Sequence, residues 1–138
     1  MTLRSRLEEL CRTYDLDALY VFGSRGEEVC RRLDDDRVPA VAAGSDVDIG
    51  ILPPERSVLS VDRKVAIATA LEDLFGVSRV DLVVLPEADP FLAANVIRGE
   101  RLFFRDEHRL DEYELFVLRR AGDLAPLERE RLAMIGGT

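Results

Sequence analysis

Asp46-Val47-Asp48-Ile49-Gly50-Ile51-Leu52 alternates without a break: Asp46, Asp48 and Gly50 point one way, and Val47, Ile49 and Ile51 the other. The apolar set fixes the register, so a β-strand is expected with both carboxylates on one face, roughly 7 Å apart along the backbone. Aspartate is a poor strand former, and two like charges on one face repel. A divalent cation relieves that repulsion, and hard cations such as Mg²⁺ favour a few carboxylates completed by substrate phosphates. Asp81 opens a further apolar run, Val80-Asp-Leu-Val-Val-Leu85. If that strand lies beside the first, Asp81 joins Asp46 and Asp48 and completes a two-metal site. Any one of these acids alone reads as a solvated strand end; three of them on apolar strands read as a cluster.

Outward from this stretch, helices and strands interleave. Leu3, Leu7, Leu10 and Cys11 recur at helical spacing, giving a helix over 3–14. Ala18-Leu-Tyr-Val-Phe22 is a short buried strand stopped by Gly23, followed by a helical piece near 27–33. Residues 34–44, with Asp34-Asp35-Asp36 and Pro39, read as a surface loop. Pro53-Pro54 ends the strand of residues 46–52. A helix over 60–75 carries Val61, Val65, Ala68, Leu71 and Phe75 on one stripe and closes at Gly76. Asp89-Pro90 is an N-cap with proline at the first helical position, and Gly99 stops that helix. Residues 101–104 give a short fourth strand, and the C-terminal segment 107–138 is helical, with a break expected near Gly122 to Pro126. The pattern is α/β or α+β, with helices packed on a small sheet in a single domain spanning 1–138.

Nineteen Lys and Arg against 27 Asp and Glu leave a net charge of −8 over 138 residues. An acidic chain gains nothing from counterion release on a phosphate backbone, which disfavours general nucleic-acid binding but leaves room for a small nucleotide carried with its own cations. The N-terminus carries charges rather than an export signal, and no apolar run approaches membrane-spanning length, so a cytoplasmic protein without membrane attachment is expected. Cys11 and Cys30 are widely spaced and His108 is the only histidine. That combination excludes a zinc knuckle and argues against a disulfide scaffold. Charge alone leaves a homo-oligomer open.

Gly23-Ser24 follows the first strand directly. A glycine that lets backbone approach a ligand, a hydroxyl donor and the amides of a helix start together make a cradle for phosphate. No Walker-type lysine loop or dinucleotide Gly-x-Gly-x-x-Gly pattern is present, so Gly23, Ser24 and bound cations would carry the phosphates. Arg25 is a further nucleotide-binding candidate, with an ion-paired or solvent-facing side chain as its simpler reading. Tyr20 reads as core or strand-edge packing, and Tyr113, Leu115 and Phe116 as residues that bury against the domain, with any exposed share available as a partner surface. His108 reads as a surface residue.

Phe22-Gly-Ser-Arg-Gly26, Ser45-Asp-Val-Asp-Ile49 and Val80-Asp-Leu82 together resemble the nucleotidyltransferase superfamily with the DNA polymerase β-like palm, and within it the minimal nucleotidyltransferase (MNT) proteins. The resemblance extends through 88–104 and Asp123-Leu-Ala-Pro-Leu127 to the C-terminal half of MNT antitoxins. It implies a small mixed sheet with helices packed on it, and triphosphate contacts from Gly23 and Ser24. It also implies that Asp46, Asp48 and Asp81 are the catalytic carboxylates, holding two Mg²⁺ ions, with Mn²⁺ as a substitute. The implied reaction transfers AMP from ATP to a hydroxyl, with Asp81 either the general base or simply a third ligand. The implied partner is a HEPN-domain ribonuclease toxin, with one of its tyrosines as acceptor and this chain as antitoxin. Two other functions remain open at this point: an antitoxin that neutralises by binding alone, and a small-molecule nucleotidyltransferase of aminoglycoside type. Twenty-one residues separate Ser24 from Asp46, a longer interval than the family usually has. The excess is assigned to an insertion at 34–44, which costs little in loop entropy.

Overall fold

A computed structural model of the chain describes residues 2–34 and 46–135, with 124–135 as helical backbone only. Its sheet is built on the alternating stretch. β2 (Asp46–Leu52) lies between β1 (Ala18–Phe22) and β3 (Arg79–Val84), with β4 (Glu100–Phe104) on the far side of β1, in the order β3-β2-β1-β4. β1 runs antiparallel to β2 and β4, whereas β2 and β3 are parallel. A parallel pair cannot be joined by a hairpin, and α3 (Val61–Phe75) supplies the crossover.

Each sheet face buries a different helix layer. Leu19, Val21, Val47, Ile49 and Ile51 pack with α1 (Leu3–Thr13), α2 (Gly26–Asp34) and α3. Ala18, Tyr20 and Phe22 pack on the other side with α4 (Pro90–Ile97) and the start of α5 (Glu107–Ile135). α4 reaches the sheet because position 50 has no side chain: a β-carbon there would overlap Cγ1 of Val96. Tyr20 is fully buried, as expected, and its hydroxyl donates to Glu114 Oε2 at 2.5 Å. The same oxygen accepts from Arg101 Nε at 2.8 Å, so β1, β4 and α5 are tied at one point.

The helix ends follow their capping chemistry. Thr2 and Ser5 form a reciprocal capping box on α1. Ser60 accepts from the Arg63 amide at the start of α3, and Gly76 closes it. Asp89 accepts from the Phe91 and Leu92 amides at 2.9 and 3.0 Å, ahead of Pro90.

Four expectations change. The buried stripe of α3 is Ile67, Leu71, Leu74 and Phe75, while Val61 and Val65 are exposed, because the first turns of the helix extend beyond what they could pack against. α5 runs without a break through Gly122 and Pro126; a proline removes one backbone donor, and an otherwise continuous helix survives that loss. Leu115 and Phe116 are about half exposed, because α5 buries Leu110, Val117 and Ala121 instead; Tyr113 is half-buried. Asp34, assigned to the loop, is the last residue of α2 and pairs with Arg4. The rest of the expected loop, 35–44, lies outside the described residues.

Candidate active site

β1 ends at Phe22, which lies opposite Asp48 of β2. Gly23 then turns the chain with φ of 79°, in the left-handed region that a side chain resists. A β-carbon at this position would stand 2.5 Å from Oδ2 of Asp48, so a side chain here would strain the turn and push the Asp48 carboxylate aside. The Gly26 amide donates to Gly23 O at 3.3 Å, and α2 begins at Gly26. Ser24 is exposed in this turn. Arg25, one residue ahead of α2, reaches Glu28 on that helix at 3.0 Å, so the ion-paired reading describes it here.

On the other side of β2, Asp46 is the register partner of Arg79, and Asp48 that of Asp81. The glycine–serine turn, Asp48 and Asp81 therefore stand in a row across three neighbouring strands, at one end of the sheet. Asp46 and Asp48 share a face, as their alternation with buried Val47 and Ile49 demands. The Asp48 carboxyl is pushed above its ordinary range, first by partial burial and then by the negative charges of Asp81 and Asp46. Such crowding favours a proton or a cation.

The third carboxylate has found a cation within the chain. Arg79 Nε lies 2.9 Å from Asp81 Oδ1. Among the described residues no three His, Cys, Asp or Glu side chains converge as metal ligands. The donor set nevertheless fits a hard divalent ion: carboxylate oxygens on adjacent strands, one of them charge-crowded, with Asp81 accessible enough to change partners. Arg79 is not among the residues expected from the sequence. The signal was its i, i+2 spacing from Asp81, which puts a guanidinium and a carboxylate on one face of one strand.

The remaining candidates lie elsewhere. His108 is exposed and 3.1 Å from Glu112 on α5. Cys11 is buried, Cys30 is partly so, and both are free thiols. A concavity of about 750 Å³, lined by Leu52, Pro53, Pro86, Tyr113 and Phe116 among others, opens at the opposite end of the sheet from the aspartates. A phosphate chain held by backbone amides and cations at open strand ends needs no enclosed cavity, so the carboxylate end is the better candidate for nucleotide chemistry. No helix among the described residues is long and apolar enough to cross a membrane.

Known structures share this fold. A toxin–antitoxin structure solved with AMP-PNP is 24% identical over 97% of this chain and 96% of that one, with a TM-score of 0.67. The complex of an MNT antitoxin with a tri-AMPylated HEPN toxin from Shewanella oneidensis is 23% identical over 98% and 94%, with a TM-score of 0.63. The MntA–HepT toxin–antitoxin structure is 23% identical over 98% and 95%, also at 0.63. At these identities the likeness is one of fold. No curated protein matches the chain. The family model "Polymerase beta, Nucleotidyltransferase" matches residues 5–108, the span that holds all four strands and the three aspartates, and the chain therefore belongs to the polymerase β nucleotidyltransferase family.

Proposed function

We propose that residues 1–138 form one nucleotidyltransferase domain that transfers AMP from ATP to a hydroxyl of a partner protein, forming the new P–O bond as the α–β phosphoanhydride breaks and pyrophosphate leaves. The partner is a HEPN-type toxin, the acceptor one of its tyrosines, and this chain the antitoxin. One observation carries the chemical part: Asp48 and Asp81 are register partners on parallel strands, beside Asp46 and a left-handed glycine turn set against Asp48. Family membership and the fold shared with the MNT–HEPN complexes support the choice of partner. The arrangement of the carboxylates recommends transfer over binding alone, since a purely occluding surface gains nothing from two like charges on one strand.

In this reading Gly23 and Ser24 hold the triphosphate through backbone amides and the serine hydroxyl, and Arg25 can reach it by leaving Glu28. Asp46, Asp48 and Asp81 hold Mg²⁺, which when bound offsets charge on the phosphates and lowers the pKa of the attacking hydroxyl. Asp81, once free of Arg79, is the candidate to accept the acceptor's proton.

The test is labelling of the co-expressed partner with AMP by purified protein, ATP and Mg²⁺. Asp48→Asn is expected to lower labelling about 100-fold or more while the protein stays folded. Undiminished labelling by that variant would remove the carboxylates from the mechanism. A wild-type protein that neutralises its partner without ever labelling it would establish the occlusion reading in place of catalysis.

A further inference from the structure

Among the described residues of the carboxylate end, the ion pair between Arg79 and Asp81 is a feature that nucleotide transfer does not account for. Arg79 and Asp81 flank Val80 on β3, so their side chains leave the same face, while Asp46 and Asp48 do the same on β2. The four residues form a square on the sheet: Arg79 opposite Asp46, Asp81 opposite Asp48. Three corners are negative and one is positive. Among the described residues no cation pairs with Asp46 or Asp48, and Asp81 takes the guanidinium at 2.9 Å.

The pair is also accessible. The Arg79 side chain is 68% exposed and that of Asp81 39%, so neither is locked by burial. An exposed pair of this kind is held only weakly and exchanges easily. A divalent ion carries twice the charge and can be shared among several carboxylates, which a guanidinium on one side cannot.

We propose that Arg79 is a positioning residue that serves as the site's internal counter-cation: it holds Asp81 in the metal-free protein and gives it up when a divalent cation binds, and so sets the metal concentration at which the site loads. The proposal rests on the carboxylates being a metal site, as argued above. With Arg79 in place, metal must compete for Asp81 and enter beside a positive charge. Once displaced, the side chain is free at the rim of the site, and Asp81 is released to share the cation with Asp46 and Asp48.

Mn²⁺ binding to the full chain without nucleotide, followed by titration calorimetry, tests this. Arg79→Gln is expected to bind Mn²⁺ about 3- to 10-fold more tightly than wild type, chiefly from the lost competition for Asp81. Arg79→Lys, which keeps the charge and can still reach Asp81, is expected to stay within about 2-fold of wild type. In an Asp81→Asn background the Arg79→Gln effect is expected to shrink below about 2-fold, because the residue acts through Asp81. Equal tightening in both backgrounds would overturn the proposal, leaving only a through-space field. Mn²⁺ binding that Arg79→Gln leaves unchanged or weakens would overturn it and leave the metal site standing. Absence of Mn²⁺ binding in wild type and variant alike would overturn the metal site and this role together.

Discussion

Asp48 concentrates the cost of the site in a single side chain. Its carboxyl is raised by burial and by Asp81 and Asp46, so the folded chain binds a proton there more readily than the unfolded chain does. Stability therefore falls as pH rises from the ordinary carboxylate range through the folded value, and at neutral pH the metal-free protein carries the full penalty. Asp48→Asn is expected to raise the unfolding midpoint at pH 7 without metal, by the equivalent of up to about 1 kcal/mol. Mg²⁺ should close the gap by stabilising wild type alone; thermal unfolding of both proteins with and without Mg²⁺ measures it. Gly23 is the opposite case, a residue whose absence of a side chain is the requirement. Gly23→Ala combines a left-handed backbone with an intrusion on Asp48 Oδ2, and a loss of about 1–3 kcal/mol is expected in urea denaturation, together with loss of AMP transfer. The aspartates were legible because alternation with Val47, Ile49 and Ile51 left them one face to occupy. Arg79 was not, because an arginine two residues from an aspartate is unremarkable until the strand's neighbour is known to carry two more acids.

Elements follow the same logic of what a local pattern does and does not specify. β1 and β2 have the bounds that their apolar runs and the flanking glycine and prolines dictate, and α3 and α4 start at Ser60 and Asp89 because those side chains satisfy the first free amides. The phase of α3 was less legible. Its sequence holds two overlapping apolar stripes, and only the position of the sheet selects Ile67, Leu71, Leu74 and Phe75 over Val61 and Val65. The seat of α4 on β2 was equally hidden, since it pairs residues 46 positions apart, Gly50 and Val96. That seat can be tested as a coupled pair. Gly50→Ala alone is expected to cost about 1–3 kcal/mol by overpacking, and Val96→Ala alone about 1 kcal/mol or more by leaving a gap. Together the new methyl occupies the space vacated by the valine, so the double variant is expected to be more stable than the two losses summed by at least about 0.5 kcal/mol in denaturant melts. Simple additivity would mean that α4 does not rest on position 50.

Across the whole molecule, the sheet and the long C-terminal helix are joined by apolar packing of Leu110, Val117 and Ala121 and by one polar node, Tyr20–Glu114–Arg101, to which Asp111 adds a contact with Arg101 at 2.7 Å. Tyr20 and Glu114 lie 94 positions apart, so no local pattern announces the pair. Burial and the hydrogen bond to Glu114 push the Tyr20 hydroxyl well above the ordinary tyrosine range, and burial pushes the Cys11 thiol from 9.0 up to about 12. Both groups keep their protons in the folded chain at a pH where the unfolded chain releases them. The contribution of these two groups is thus whole below about pH 9 and declines above it, first through Cys11 and then, beyond about pH 10, through Tyr20, with each group adding about 1.4 kcal/mol per pH unit within its window. Tyr20→Phe separates the two contributions. At pH 7 it is expected to lose about 1–2 kcal/mol, because Glu114 keeps Arg101 but loses the hydroxyl donor. Above about pH 10 its stability should decline less steeply than that of wild type, since one of the two ionising groups is gone. Urea denaturation of both proteins across this range should therefore give curves that converge at high pH; a constant offset between them would show that the Tyr20 hydroxyl is not held by Glu114, and that the polar tie of this node between α5 and the sheet runs through Arg101 alone.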